Sequence, residues 1–311
     1  MRALRLALLS AILALIPVLV SAQTLVREVR AAIGKNDLAG ADALVSKYRA
    51  ESGTTSEALA ALSWLGRGAL AAGNLDTADR YARDTERLTL EKLKTESLAS
   101  DPNLATALGA SLEVQGKVFV ESGQRVTAVK YLQRQIVKYK GTRIHQRLTK
   151  NLNLISLAGQ PAPKLTAREF LGPPMPDLKG HPVVLFFWAH WCPDCKAQAP
   201  ILAEVERDYR DAGLLVVGPT RHYGYVAGGA PAPPAEELAH IEAVRKQYYG
   251  MLPTMAVPVS DEDAVDYGMD ATPTLVLLDR AGIVRLFHPG QMTRAELEPQ
   301  IRALIGPQGG R

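Results

Sequence analysis

Cysteine is scarce in this chain. Its 311 residues hold two, Cys192 and Cys195, both in one C-x-x-C. With no second pair, a disulfide-stapled scaffold is excluded and a four-ligand structural zinc site is a poor fit. A haem attachment needs histidine after the second cysteine, and Lys196 stands there. The six histidines show no metal-ligand spacing. Long basic runs are also missing, and a formal charge of +4 is too mild to argue for nucleic acid. Only one apolar stretch is long enough to notice, Leu6 to Val20. It is interrupted by Pro17 and falls short of the roughly 20 residues that span a bilayer.

That stretch has another reading. Arg2 and Arg5 precede it, and Val20-Ser21-Ala22 follows as a small-residue cleavage site. Residues 1–22 are therefore expected to be a signal peptide, with an uncleaved N-terminal membrane anchor as the alternative. No cysteine lies near the cleavage site, so a lipid-anchored form is excluded. Removing residues 1–22 takes away two arginines and no acid, which lowers the formal charge from +4 to +2. The expected location is outside the cytosol, most simply the periplasm.

Residues 23–158 read as a helical domain. Ala, Leu, Glu, Lys and Arg dominate, and β-branched runs are absent. Turns are expected at Gly34-Lys35-Asn36-Asp37, Gly73-Asn74, Gly123-Gln124 and Gly141-Thr142. Thr54 with Glu57 suggests a capping box, and Asp101-Pro102 an N-cap with proline at the first helical position. Leu65-Gly66, Ala69, Gly73, Leu75 and Ala78 fall at the spacing of a tetratricopeptide pattern, where a small residue lets two helices cross closely. The intervals between Ala41, Ala78 and Ala128 are unequal, 37 and then 50 residues, so the repeats are degenerate. About three helical hairpins follow from this. Such a domain either binds a partner, or another copy of itself, on a concave face, or only packs on its neighbour.

Residues 159–311 read as an α/β domain. Gly159-Gln160-Pro161-Ala162-Pro163 is a stiff linker, and Phe170 to Met175 reads as a loop. Val183 to Trp188 is a buried strand, followed by a helix from about Cys195 to Asp211. Leu214 to Gly218 is a second strand, parallel to the first because a helix crosses between them. Its end therefore brings Thr220, Arg221, His222, Tyr223 and Tyr225 to the edge where Cys192 lies. A Pro/Gly-rich insertion and a helix from about Ala235 to Tyr248 follow, as a hood over that edge or a surface decoration. Pro258 suits an edge strand. Arg280-Ala281-Gly282 is a hairpin turn, and Thr293 with Glu296 boxes a final helix.

The chemistry centres on Trp191-Cys192-Pro193-Asp194-Cys195. A thiol at a helix N-terminus is favoured as the thiolate by free N–H groups and the helix dipole. One turn on, Cys195 is placed to attack a mixed disulfide held by Cys192. Pro193 and Asp194 tune the pair, and Trp191 is expected at the surface beside it. His190, as imidazolium, would lower the Cys192 pKa, or else it is a solvated loop residue. Arg221, His222 and Tyr223 form a possible substrate rim. The plain alternative is a structural disulfide or two inert core thiols.

Phe186-Phe187-Trp188-Ala189-His190-Trp191-Cys192-Pro193-Asp194-Cys195 resembles the active site of thioredoxin-like proteins. Asp177-Leu178-Lys179-Gly180-His181, and Ala271-Thr272-Pro273-Thr274 through Gly282, resemble the TlpA/ResA-like branch of thiol-disulfide oxidoreductases. The resemblance covers about the last half of the chain. It implies a central mixed sheet flanked by helices, with Thr272 preceding a cis Pro273 that faces the cysteines. It implies a reductase of protein disulfides, with no cofactor beyond the Cys192–Cys195 disulfide and with electrons from a membrane dithiol partner. This sequence departs from the family at two sites. The buried carboxylate that such proteins place near the second cysteine is replaced by Phe186 at one customary position and Gln198 at the other. Two other functions compete: a peroxide reductase of the related peroxiredoxin group, and a scaffold acting through the helical domain. No Pro-x-x-x-Thr/Ser-x-x-Cys motif precedes Cys192 to support the first.

If residues 1–22 direct export, the intact mass of the protein recovered from its native cell will correspond to a chain beginning at Gln23, within a residue or two. A cytoplasmic pool retaining Met1 would remove the compartment argument.

Overall fold

A computed structural model describes residues 24–306. The proposed signal peptide and the last five residues lie outside the described part.

The first part is all helix: α1 (Thr24–Gly34), α2 (Leu38–Ser52), α3 (Ser56–Ala71), α4 (Leu75–Lys92), α5 (Pro102–Glu121), α6 (Arg125–Lys138) and α7 (His145–Ser156). Three antiparallel hairpins form, α1–α2, α3–α4 and α5–α6, with α7 added at the end. The caps explain the breaks. Asp101 Oδ1 takes the N–H groups of Asn103 and Leu104, and Pro102 fills the first turn, where no N–H is needed. Gly73 and Gly123 turn the chain with φ of 74° and 76°.

One cap differs from expectation. Thr55, not Thr54, caps α3, accepting the Ala58 N–H. The Glu57 carboxylate faces away from that cap and holds Leu25 N and Tyr48 Oη, tying α3 to α1 and α2. At the hairpin crossing, Ala78 is fully buried, and a methyl added at Gly66 would touch α4 at 3.6 Å. That is ordinary contact, so Ala at position 66 would fit.

The second part is a mixed sheet. Its strands are β1 (Glu169–Leu171), β2 (Val183–Phe187), β3 (Leu215–Val217), β4 (Val257–Val259), β5 (Thr274–Leu278) and β6 (Val284–Pro289). The order is β3-β2-β5-β6, with β2 parallel to β3 and β5 antiparallel to both of its neighbours. Bridges Val217–Ala256 and Thr220–Val259 set β4 beside β3, and β1 pairs antiparallel with β4. Phe170 and Leu171, expected in a loop, are thus strand residues. The Pro/Gly-rich flanks concealed three residues whose pairing partner is almost ninety positions away.

All five β2 residues are buried because both faces of the sheet are covered. Val184 and Phe186 meet α8 (Pro193–Tyr209), α9 (Pro234–Tyr249) and α11 (Arg294–Ile305). Val183, Leu185 and Phe187 meet the short α10 (Asp261–Asp266), Tyr267, Leu157 at the end of α7, and Ala162 and Leu165 in and just after the linker.

Helix α7 joins the two parts. Asn153 Nδ2 donates to Tyr267 O at 3.0 Å, and Lys150 pairs with Asp270 at 2.8 Å. Gly268, with φ +67°, sits so close that an added Cβ would lie 2.3 Å from Lys150 N and 2.7 Å from the Thr149 carbonyl carbon. Backbone cannot yield as a flexible side chain does. Gly268→Ala is therefore expected to cost about 3 kcal/mol, from overpacking plus the left-handed conformation. Gly228→Ala, also at positive φ (71°) but with nothing within 4 Å, should cost only about 1 kcal/mol. Denaturant unfolding of both variants checks the difference.

Candidate active site

Strand β2 ends at Phe187, and the next residue is held on every polar atom. Trp188 N donates to Pro219 O at 3.1 Å, and its indole Nε1 to Gly218 O at 2.9 Å. Its carbonyl accepts Thr220 Oγ1 at 2.7 Å. Trp188 is fully buried, a core residue as its position suggested. From this fixed point Ala189, His190 and Trp191 lead to Cys192.

Cys192 is the N-cap of α8. Its Sγ accepts the Cys195 N–H at 3.0 Å, and Pro193 opens the first turn. The two sulfurs are bonded, with the Cα atoms 5.3 Å apart. Cys192 is 2% and Cys195 0% exposed, while Trp191 beside them is 47% exposed. Asp194 points to solvent, and its carbonyl accepts Gln291 Nε2 at 2.7 Å. Thr272–Pro273 is cis. Because Thr274 pairs with Phe187, Pro273 sits at the same edge of the sheet as the residues leading to Cys192. The Thr272 hydroxyl is buried there without a hydrogen-bond partner among the described residues.

The two departures from the carboxylate pattern have structural roles. The Phe186 ring packs edge-on against Tyr249 at 5.9 Å. Gln198 is fully buried on the helix face of Cys195. Its Nε2 donates to Met292 O at 3.1 Å, and its Oε1 accepts Met292 N at 2.8 Å, so it clamps the approach to α11. A carboxylate could make only one of those two bonds.

The rim residues separate. Tyr223 stacks edge-on against Trp191 at 5.6 Å, and the Arg221 guanidinium lies over Tyr223 at 5.0 Å. His222 turns away to Glu169, 2.8 Å from Nε2, and to Glu237, 3.3 Å from Nδ1.

Glu237 is the residue that sequence reasoning missed. It is 1% exposed in the first turn of α9, the inserted helix. Its carboxylate accepts the N–H of Tyr223 at 2.5 Å and of Gly224 at 2.9 Å. It also lies 3.3 Å from His190 Nε2, without the geometry of a hydrogen bond. In sequence, Glu236 and Glu237 look alike, two acids suited to a helix start. Only the return of the Tyr223 loop distinguishes them.

His190 is not the solvated loop residue that the sequence allowed. It is 2% exposed, among the rings of Tyr223, Tyr225 and His240. Burial, helped by His240, lowers its pKa, and that outweighs the attraction of Glu237. The stabilisation that the geometry offers a Cys192 thiolate is the helix N-terminus and the Cys195 N–H, and burial of His190 works against a positive charge there. Among the described residues no group of three or more His, Cys, Asp or Glu side chains is placed to hold a metal ion.

A family model described as the AhpC/TSA family matches residues 158–287. Over those residues the chain is similar to that family, and its fold is thioredoxin-like. The chain is 28% identical over 173 residues to the thioredoxin-like protein YneN of Bacillus subtilis, covering 53% of this chain and 91% of that protein. It is 27% identical over 157 residues to the thiol:disulfide interchange protein DsbE of Xylella fastidiosa, covering 48% and 70%. It is 24% identical over 128 residues to the thiol-disulfide oxidoreductase ResA of Geobacillus thermodenitrificans, covering 41% and 66%. With a bonded cysteine pair capping a helix of its thioredoxin-like domain, the chain is a thiol-disulfide oxidoreductase.

The thioredoxin-like domain carries a titration that tests the Glu237 knot. Burial alone would lower the His222 pKa, but Glu169 and Glu237 raise it above the ordinary value. A folded pKa above the unfolded one means that the folded state binds more protons. The stabilisation is complete below the unfolded value of about 6.5 and is lost as pH rises through the folded value. Glu237→Gln removes one of the two carboxylates. The His222 pKa, followed by NMR, is expected to fall toward about 6.5, and the loss of stability with rising pH to become shallower. An unchanged titration would show that Glu169 alone sets it.

Proposed function

We propose that the chain is an exported reductase of disulfides in protein substrates, working through a Cys192/Cys195 dithiol. One observation carries the reading: Cys192 caps α8 with its sulfur on the Cys195 N–H, next to exposed Trp191 at the sheet edge shared with Pro273. A thiolate there is stabilised by the helix, and the adjoining indole offers a contact for a polypeptide.

In the reduced protein the Cys192 thiolate attacks a substrate disulfide. One Cys192–substrate S–S bond forms, and one substrate thiolate leaves. Cys195 then loses its proton and attacks Cys192 Sγ. The mixed disulfide breaks, the second substrate thiolate leaves and takes up a proton, and Cys192–Cys195 closes. Two electrons have moved to the substrate. Return to the dithiol requires an outside two-electron donor. A membrane dithiol protein is proposed for that part, from the resemblance to the TlpA/ResA-like branch.

Export is proposed from residues 1–22, and no helix among the described residues is long and apolar enough to cross a membrane. We divide the mature chain into a helical, tetratricopeptide-like domain at 23–158 and the thioredoxin-like domain at 159–311. Tyr223 and Tyr225, at the start of the insertion, pack on His190, so access of large substrates past Trp191 is proposed to depend on it.

Replacing Cys195 by Ser is expected to accumulate mixed disulfides on Cys192, seen as higher-mass bands on non-reducing gels and mapped by mass spectrometry. Cys192→Ser should trap none, and the reverse pattern would exchange the two roles. The reduction potential of the pair should fall in the lower part of the range of roughly −120 to −270 mV that separates dedicated oxidants from reductants. Consumption of hydrogen peroxide faster than of a disulfide peptide would favour the peroxide-reducing alternative.

A further inference from the structure

The inner layer of the helical part carries charge that its own carboxylates do not match. Helices α1, α3, α5 and α7 pack side by side in that order. On α3, Trp64 is stacked by two guanidinium groups, Arg30 from α1 at 4.5 Å and Arg67 at 4.3 Å from the ring centroid. Neither arginine makes an ion pair among the described residues, although Arg67 is half-buried and its buried Nε has no hydrogen-bond partner there. Burial lowers the Arg67 pKa to about 10, Arg147 and Arg30 push the same way, and Glu113 opposes them. A guanidinium held this way gains most from an incoming carboxylate.

The same layer runs toward the cysteines. Arg147 on α7 pairs with Glu113 on α5 at 2.7 Å, and Glu113 is shared with Lys117 at 3.0 Å. Lys150, one turn on, pairs with Asp270 at 2.8 Å. Cations therefore outnumber carboxylates along the face. Gln146 adjoins Arg147 and Lys150 on α7, and its Oε1 accepts Arg221 Nη1 at 3.3 Å. Arg221 lies on Tyr223, and Tyr223 on Trp191 beside Cys192.

We propose that this face, from Arg30, Trp64 and Arg67 along α7 to Arg221, holds an acidic segment of the protein substrate while its disulfide meets Cys192. The inference rests on the reading that Cys192 exchanges disulfides with proteins. The helical domain then supplies substrate choice, and the thioredoxin-like domain supplies the redox step. A polypeptide is favoured over a free anion because the charge is spread over several helices and continues to the reactive sulfur.

The test uses the full-length protein and two peptides. Both contain the same intramolecular disulfide and a flexible linker, one ending in a block of glutamates and the other in glutamines. Affinity is measured by titration with the oxidised protein, and kcat/KM with the reduced one. The glutamate peptide is expected to be preferred about tenfold in both at low salt, from several partly exposed charge pairs. The preference should vanish near 0.5 M salt, where the Debye length is only about 4 Å. It should shrink severalfold in Arg30→Glu and in Arg147→Gln, variants at different helices, so that misfolding of one does not decide the matter.

Equal binding of the two peptides by the unaltered protein at low salt overturns the proposal. So does a preference that survives both substitutions, which would place the anion elsewhere. Binding to vesicles containing phosphatidylglycerol that Arg30→Glu abolishes, without a peptide preference, assigns the face to a membrane and also overturns it. Retained preference in the titration with no turnover of either peptide supports the docking face and sinks the redox reading alone.

Discussion

The structure depends on the fixing of Trp188. Its backbone N–H, its backbone carbonyl and its indole N–H are all taken by the chain at 218–220, which leaves the end of β3. A fully buried indole is large enough to order its surroundings, and its one polar atom must be paired when water is excluded. Meeting that requirement with Gly218 welds the ends of two parallel strands together. Gly218 lies close to both partners: an added Cβ would lie 2.8 Å from Met255 Sδ and 3.2 Å from the indole nitrogen, so the Met255 side chain would have to shift. The residues that matter chemically hang from this weld on both sides. His190 to Cys195 follow Trp188, and Arg221 to Tyr223 follow Thr220.

A second knot stiffens the far side of the rim. Burying a carboxylate is costly unless its lone pairs are filled. Glu237 is filled by two backbone N–H groups and by His222, which holds its pKa below the ordinary value despite burial. The insertion is therefore attached to the sheet edge by a charged anchor. It reaches the residues leading to Cys192 through the rings of Tyr223 and Tyr225 on His190 and of Tyr223 on Trp191. The electrostatics that result are economical. The helix N-terminus and one N–H stabilise the Cys192 sulfur, and burial lowers the pKa of His190, two residues before it.

Much of this was legible in the residues themselves. Strand length, apolar content and the C-x-x-C at a strand-to-helix junction placed Cys192 at the α8 N-terminus. Alternating strand and helix patterns gave the parallel β2–β3 pair, and Asp101-Pro102 and Thr293 with Glu296 marked caps that the structure contains. These are short-range matters, in which backbone N–H groups and side chains within a few positions of each other decide the outcome. Legibility failed where a partner was distant. Thr54 and Glu57 have the spacing of a capping box, yet Glu57 has a stronger use in reaching Leu25 and Tyr48. β1 is too short to announce itself and exists only because β4 offers it a ladder.

By itself the sequence determined the class of each half, the redox pair and its position at a helix start, because periodicity and local hydrogen bonding are written within a turn or a strand. Only the tertiary structure decided what surrounds that pair. His190 could be solvated or buried until Tyr223, Tyr225, His240 and Glu237 closed around it, and Glu237 could be a solvated helix-start acid until the Tyr223 loop returned to it. The two arginines on Trp64, without an ion pair among the described residues, are likewise ordinary surface residues in the sequence. They become a site only when α1, α3, α5 and α7 lie side by side, since charges act through space and not along the chain.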